Sequence, residues 1–170
     1  MIVVPYGLTG LNAAPAADLE EALLGCCAAP RWATAVAAGR PYGSAAELYH
    51  AADAALNELD EAEIDAALAG HPRIGARPDA GHSASSSREQ SGVSSSSAAT
   101  LAALAEGNRE YEARFGHVYL VCADGRKGEE LLAVLHQRLR NDPLTERATV
   151  RAELCKINRI RLGRLIGVAG

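Results

Sequence analysis

Apolar side chains recur along the chain at three- and four-residue intervals, the spacing of one helical face. Residues 1–15 are expected to be irregular. Leu19, Ala22, Leu23 and Cys26 then form the first stripe, on a helix opened by Asp18 with Glu21 in capping-box register. Pro30 ends it, and a short helix over Arg31–Ala38 follows, closed by Gly39 and Pro41. Ser44-x-x-Glu47 opens a third helix, carrying Leu48, Tyr49, Ala52, Leu56 and Leu59. Asp60-x-x-Glu63 opens a fourth, carrying Ile64, Ala67 and Leu68. Gly70 occupies the position of a left-handed C-terminal cap. His71-Pro72 comes next. The residue before a proline is pushed out of the helical region, so His71 is expected just off a helix end, in an extended conformation.

From Ser83 to Ser97, nine of fifteen residues are serine, ordinarily a flexible linker. Arg88-Glu89-Gln90 interrupts the run, and Ser86-x-x-Glu89 predicts a short capped helix instead of a tether. A further start lies within Ser94–Ser97. It opens a long helix to about Arg114 on Leu101, Leu104, Tyr111 and Phe115. Asn108 falls on that apolar face and is expected to tie down a nearby loop or backbone. Gly116 stops the helix. Residues 117–123 are the one β-like run. With no second run to pair with, they read as an extended segment threading the helices, with some amides free for a ligand. Asp124-Gly125 turns the chain into a helix on Leu131, Leu132, Leu135 and Leu139. Asp142 as N-cap and Pro143 at the first helical position start the last helix, which runs to about Ile166 on Val150, Leu154, Ile157 and Leu165. The pattern predicts an all-α, single-domain bundle of about seven to nine helices over residues 1–170.

Composition agrees. Of the 170 residues 48% are apolar, mostly Ala and Leu, and these favour helix because they lose little freedom there. A net charge of −4 argues against nucleic acid as a partner. No apolar run approaches a membrane span, and the opening MIVVPYGLTG has no positive n-region, so a soluble cytoplasmic protein is expected. Cys26, Cys27, Cys122 and Cys155 form no C-x-x-C and read as small buried residues, with no metal expected. Between Arg126 and Arg164, ten Lys/Arg face five Asp/Glu. That excess either draws a small anion or is a solvated basic helix face.

Three side chains stand out chemically. His71 alone among the histidines is placed by a helix end and a proline, which suits a general acid/base; the bland alternative is a surface histidine at a helix C-terminus. His82 lies in the loop that follows. Glu89 either completes a capping box with Ser86 or serves the chemistry, and Gln90 offers an amide donor and acceptor. Arg161 falls between Leu154 and Ile157 on the helical wheel. A guanidinium aimed into an apolar face is costly unless paired, so it is either a structural ion pair or an anion clamp.

These residues sit within five ordered motifs: His71-Pro72-x-x-Gly75, Ser86-x-x-Glu89-Gln90-x-Gly92, Asn108-x-x-Tyr111-x-x-Arg114-Phe115-Gly116, Asn141-Asp142-Pro143-x-x-Glu146-Arg147, and Lys156-Ile157-x-x-Ile160-Arg161-Leu162. In that order, from about Asp18 to Ile166, the chain resembles the 2-oxo-4-hydroxy-4-carboxy-5-ureidoimidazoline (OHCU) decarboxylases of the urate-to-allantoin pathway. The resemblance implies an all-helical, cofactor-free homodimer. It implies His71 and Glu89 as the catalytic pair and Arg161 binding the carboxylate or ureido side of the substrate. Pro72, Ser86 and Gln90 would line the site, and backbone amides near Tyr119 and Val121 would hold the ring. Arg73 departs from the pattern, standing where the family usually has an acidic residue.

OHCU carries its carboxylate on a hydroxyl-bearing carbon beside a ring C=N. Loss of CO2 pushes the bond electrons into that C=N, so the substrate supplies its own electron sink. Protonation of C5 on one face then gives (S)-allantoin. Two rival readings remain at this level: a non-catalytic helical binding module, and a His–Glu hydrolase of a related ureide that would release ammonia or open a ring instead of releasing CO2.

Overall fold

The computed structural model describes residues 6–76 and 84–168. All regular structure among them is helical: α1 (Gly7–Ala13), α2 (Ala16–Cys26), α3 (Pro30–Ala38), α4 (Ala45–Asn57), α5 (Glu61–Ala69), α6 (Ala84–Glu89), α7 (Ala98–Phe115), α8 (Gly128–Arg138) and α9 (Pro143–Leu165). The all-α expectation is met. The chain divides into two compact units, Met1–Ala67 with Cys155–Gly170, and Leu68–Leu154.

In the first unit α2 packs on α3 and α3 on α4. Trp32 is fully buried and donates its indole N–H to the Ala52 carbonyl at 2.9 Å, which satisfies the one polar atom the ring carries. Leu11, Leu19, Leu23, Val36, Leu48, Leu56, Ile64 and Leu162 are each 0% exposed. Of the expected irregular stretch 1–15, residues 1–5 lie outside the described residues, and the expectation is overturned over Gly7–Ala13, where α1 forms and buries Leu11 completely. Its glycine-rich sequence gives little helical preference, so packing decides. Asn12 exchanges two 2.9 Å hydrogen bonds with the Tyr42 backbone, and Arg40 donates to the Leu11 and Ala14 carbonyls at 3.1 and 2.6 Å. The next helix also starts earlier than expected. Asp18 lies in the first turn of α2, whose N-cap is Pro15.

Local capping follows the sequence closely elsewhere. Ser44 Oγ accepts the Glu47 amide, while the Glu47 carboxylate accepts the Gly43 amide. Asp60 and Glu63 make the reciprocal box with two 2.8 Å bonds. Ser97 caps α7, Gly116 ends it at φ 78°, and Asp142 caps α9 through the Thr145 amide. Gly70 does not adopt the left-handed conformation expected of it; the positive-φ glycine of this region is Gly75, at 81°.

In the second unit α7 packs on α8. Its core joins Ile74, Val93, Leu104, Tyr111, Tyr119, Val121, Leu131 and Leu135. Gly107 lets α8 approach, since a Cβ there would meet Leu135 at 2.5 Å.

Candidate functional site

Most of the residues singled out by sequence lie in the second unit. His71 follows α5 directly and donates its amide to the Leu68 carbonyl at 2.9 Å, closing the helix end. His71 and Pro72 are half-buried. Arg73 points outward and pairs with Glu112 at 2.6 and 3.0 Å, and the hydrogen bond to that carboxylate raises its guanidinium further above the ordinary value. Ile74 turns inward as an apolar anchor.

The loop after His71 is held at its backbone from two sides. Asn108, buried on α7 as its position on the apolar face predicts, donates to the Ile74 carbonyl at 2.9 Å. Gln90, just beyond α6, accepts the Gly75 amide at 3.1 Å and reaches the Arg73 carbonyl at 3.4 Å. Gly75 needs its positive φ for this turn, a conformation that costs other residues steric strain. The chain around His71 is thereby fastened to the end of the helix that carries Glu89.

Within α6, Ser86 and Glu89 are buried at 5% and 7% exposure. Residues three apart share a helical face, and here it is the inward one. This overturns the capping-box reading of Ser86-x-x-Glu89. Ser86 lies inside the helix and Glu89 ends it, so both side chains serve the interior. The spacing suits either role, and only burial separates them. His82 lies outside the described residues.

Glu89 acts on the extended segment. Burial raises the Cys122 thiol above its ordinary range, a backbone hydrogen bond at Asp124 opposes this, and the negative charges of Glu153, Asp124 and Glu89 add to the rise. Tyr119 and Val121 have buried side chains, and the Tyr119 hydroxyl donates to the Leu131 carbonyl at 3.0 Å. What these two residues can offer a ligand is therefore backbone. No carbonyl of a described residue accepts from either amide in a backbone–backbone bond. The Cys122 amide, in contrast, donates to Glu153 at 2.8 Å.

Behind this segment stands a buried ionic network that sequence reading missed. Arg138 and Glu146, 5% and 0% exposed, pair through Nε at 2.8 Å. Arg138 also donates to the Leu120 carbonyl, Tyr111 donates its hydroxyl to Glu146, and Asn141 donates to Glu146 at 2.9 Å. Burial works against the Arg138 charge, but the Glu146 carboxylate outweighs it and holds the guanidinium above its ordinary value. The Asn141-to-Glu146 motif carried the signal. Its capping explains Asp142 and Pro143 and leaves Asn141 and Glu146 without a role.

Arg161 belongs to the first unit. It is half-buried on α9 and donates Nη1 to the Cys26 carbonyl at 2.9 Å. Asn158, one turn earlier, is 2% exposed. Among the described residues no group of three or more His, Cys, Asp or Glu side chains is placed to hold a metal ion. No described helix is long and apolar enough to cross a membrane.

A model of the OHCU decarboxylase family matches residues 12–163. The chain belongs to that family. Among its relatives is an OHCU decarboxylase of Amia calva, 30% identical over 141 residues, covering 81% of each protein. The uric acid degradation bifunctional protein TTL of Arabidopsis thaliana is 30% identical over 145 residues, which are 82% of this chain. The match spans 45% of the Arabidopsis protein's own length. A crystal structure of an OHCU decarboxylase in the presence of (S)-allantoin superposes with a TM-score of 0.74 at 28% identity, covering 87% of this chain and 98% of that one. A crystal structure of (S)-allantoin synthase shares the fold, with a TM-score of 0.73 at 19% identity over 94% of this chain and 54% of that one.

Proposed function

We propose that this OHCU decarboxylase family member is a carboxy-lyase that converts OHCU to (S)-allantoin in urate breakdown. His71 and Glu89 form its acid–base pair and Arg161 anchors the substrate. The observation that carries the site assignment is the double hydrogen bond of Gln90 to the Arg73–Gly75 backbone, which fastens the His71 loop to the helix end bearing the buried Glu89.

The chemistry asks for proton handling and little else. The C4–carboxylate bond breaks, CO2 leaves, and its electron pair moves into the neighbouring C=N, whose nitrogen takes a proton. The resulting enol gives up its hydroxyl proton as C5 receives one, leaving the C4 carbonyl of allantoin. One residue able to give a proton and one able to accept it cover these transfers, and positioned acid–base groups contribute roughly 10²–10⁴-fold each. His71 is the principal acid/base; Glu89 orients it or holds the substrate hydroxyl. Ser86, Pro72 and Gln90 line the site, and the Tyr119 and Val121 amides hold the ring. The carboxylate must depart as a neutral molecule, so the Arg161 grip serves better on the ureido side than on the departing group. The same proposal includes a cytoplasmic homodimer that works without a cofactor.

The test is the fate of freshly generated OHCU. Enzyme-dependent release of one CO2 per OHCU consumed, without ammonia, is the expected result. Release of ammonia without CO2 would establish a ureide hydrolase instead, and neither product above the blank would leave a binding module.

A further inference from the structure

Val121 is held through both of its peptide bonds. Residues 118–123 carry no regular structure, so no ladder of backbone bonds fixes them, and charged side chains take that part. A trans peptide is planar, and its C=O and N–H point in opposite directions. The Leu120 carbonyl accepts from Arg138, which turns the Val121 amide away from that guanidinium. The Cys122 amide donates to Glu153 at 2.8 Å, which turns the Val121 carbonyl away from that carboxylate. A cation on one peptide and an anion on the next leave Val121 little freedom to rotate.

The two anchors differ in what else explains them. Arg138 is 5% exposed and has Glu146 as its buried counter-charge. Glu153, on α9, is 8% exposed and bears directly on the segment. Burying a carboxylate is costly unless it is paired, and its bond to a backbone amide is of the strong, charge-assisted kind. The clamped stretch also borders Glu89. Burial is the largest cause of the raised Cys122 thiol, and the charges of Glu153 and Glu89 both add to it. Cys122 is half-buried, so the stretch reaches the surface there. All of these groups lie in the second unit.

We propose that Glu153 is a positioning residue of the decarboxylation, holding the Val121–Cys122 peptide in register beside Glu89. This rests on the OHCU decarboxylase reading above, in which the Tyr119 and Val121 amides hold the ring. Glu153 touches neither substrate nor reacting atoms. Its carboxylate acts through the Cys122 amide, and what matters is where its oxygen stands. A shift of the segment by a fraction of the length of a bond moves the ring against Glu89, and rate is sensitive to such misplacement.

The test measures kcat and KM for (S)-allantoin formation from freshly generated OHCU with wild type, Glu153→Gln and Glu153→Asp. Each value is taken per folded protein, well below the melting temperature, so that loss of fold does not count as loss of turnover. The first variant keeps an acceptor oxygen at the same reach and loses the charge; the second keeps the charge one methylene short. Glu153→Gln is expected to stay within about threefold of wild type. Glu153→Asp should lose about tenfold or more, in kcat more than in KM. A purely structural carboxylate leaves both folded variants at wild-type kcat, and that result would overturn the inference. So would Glu153→Gln falling as far as Glu153→Asp, which makes charge and not reach the active property, or a loss in Glu153→Asp confined to KM. Wild type that forms no (S)-allantoin above the blank ends the parent reading and this one with it. Full turnover by wild type, matched by both variants, ends only the Glu153 assignment.

Discussion

Gln90 accepts the Gly75 amide at 3.1 Å across fifteen residues of chain, and the loop that follows His71 takes its position from that bond. The same carboxamide reaches back to the Arg73 carbonyl. Replacing Gln90 with Leu keeps the bulk and removes both bonds. The loop after His71 then loses one of its two anchors, Asn108 remaining as the other. Turnover is expected to fall about tenfold to a hundredfold through misplacement of His71. Stability should fall by only about 1–2 kcal/mol for the hydrogen bonds lost. Steady-state kinetics beside a urea melt separates the two effects.

The Arg138–Glu146 pair predicts a different balance. Glu146→Leu leaves a buried guanidinium without its carboxylate, a change that costs roughly 3–5 kcal/mol when one partner of a buried pair is removed. For a chain of this length that is on the order of 6–20 °C in melting temperature. Arg138→Met combined with Glu146→Leu should recover most of the loss, because both charges are gone. A double-mutant thermal series checks this. Additive destabilisation would show that the pair acts otherwise.

Gly92 is a steric necessity. A Cβ at this position would meet the Arg126 carbonyl oxygen at 2.4 Å, a backbone atom with nowhere to move cheaply. Gly92→Ala should therefore shift residues 90–93 against the turn after the extended segment, at about 1–3 kcal/mol. Gly107→Ala meets only the Leu135 side chain at 2.5 Å and is expected to be milder. Melting temperatures and turnover of the two variants give the comparison.

Alkaline pH should unfold the protein earlier than its carboxylates and amines alone would dictate. Tyr111 and Tyr119 are raised well above the ordinary value of 10.0, first by burial and, for Tyr111, by its hydrogen bond to Glu146. A folded-state pKa raised above the unfolded one stabilises fully below pH 10 and loses that stabilisation as pH climbs towards the folded value. Native protein should show little tyrosinate absorbance from these two rings at pH 10–11, and Tyr111→Phe should flatten the alkaline fall in stability. An unchanged slope would remove Tyr111 from the account.

Much of this architecture was legible as periodicity and capping. Ser44, Asp60, Ser97, Gly116 and Asp142 mark helix ends because each signal is local and needs no knowledge of the fold. Asn108 was legible in kind, since a polar residue on an apolar face must find a partner, and it found the Ile74 carbonyl. Local signals failed where tertiary packing decides. The glycine-rich α1 is helical because Leu11 is buried and Asn12 pairs with Tyr42 thirty residues away. Ser86-x-x-Glu89 has the spacing of a capping box, yet it supplies two inward side chains in a six-residue helix. Arg138 carried no signal of its own, because a basic residue near a helix C-terminus is ordinary until its carboxylate partner is known. His71 and Glu89 were reached by motif, and their setting explains how they are held.

The most direct measurement follows the circular dichroism of product formed from freshly generated OHCU by wild type, His71→Ala and Glu89→Gln. The expected result is rapid accumulation of (S)-allantoin with wild type and none above the blank with His71→Ala, the variant retaining its helical spectrum. Glu89→Gln should lie between them. Slow appearance of racemic allantoin at the blank rate with wild type, or wild-type turnover by folded His71→Ala, would contradict the assignment of this site.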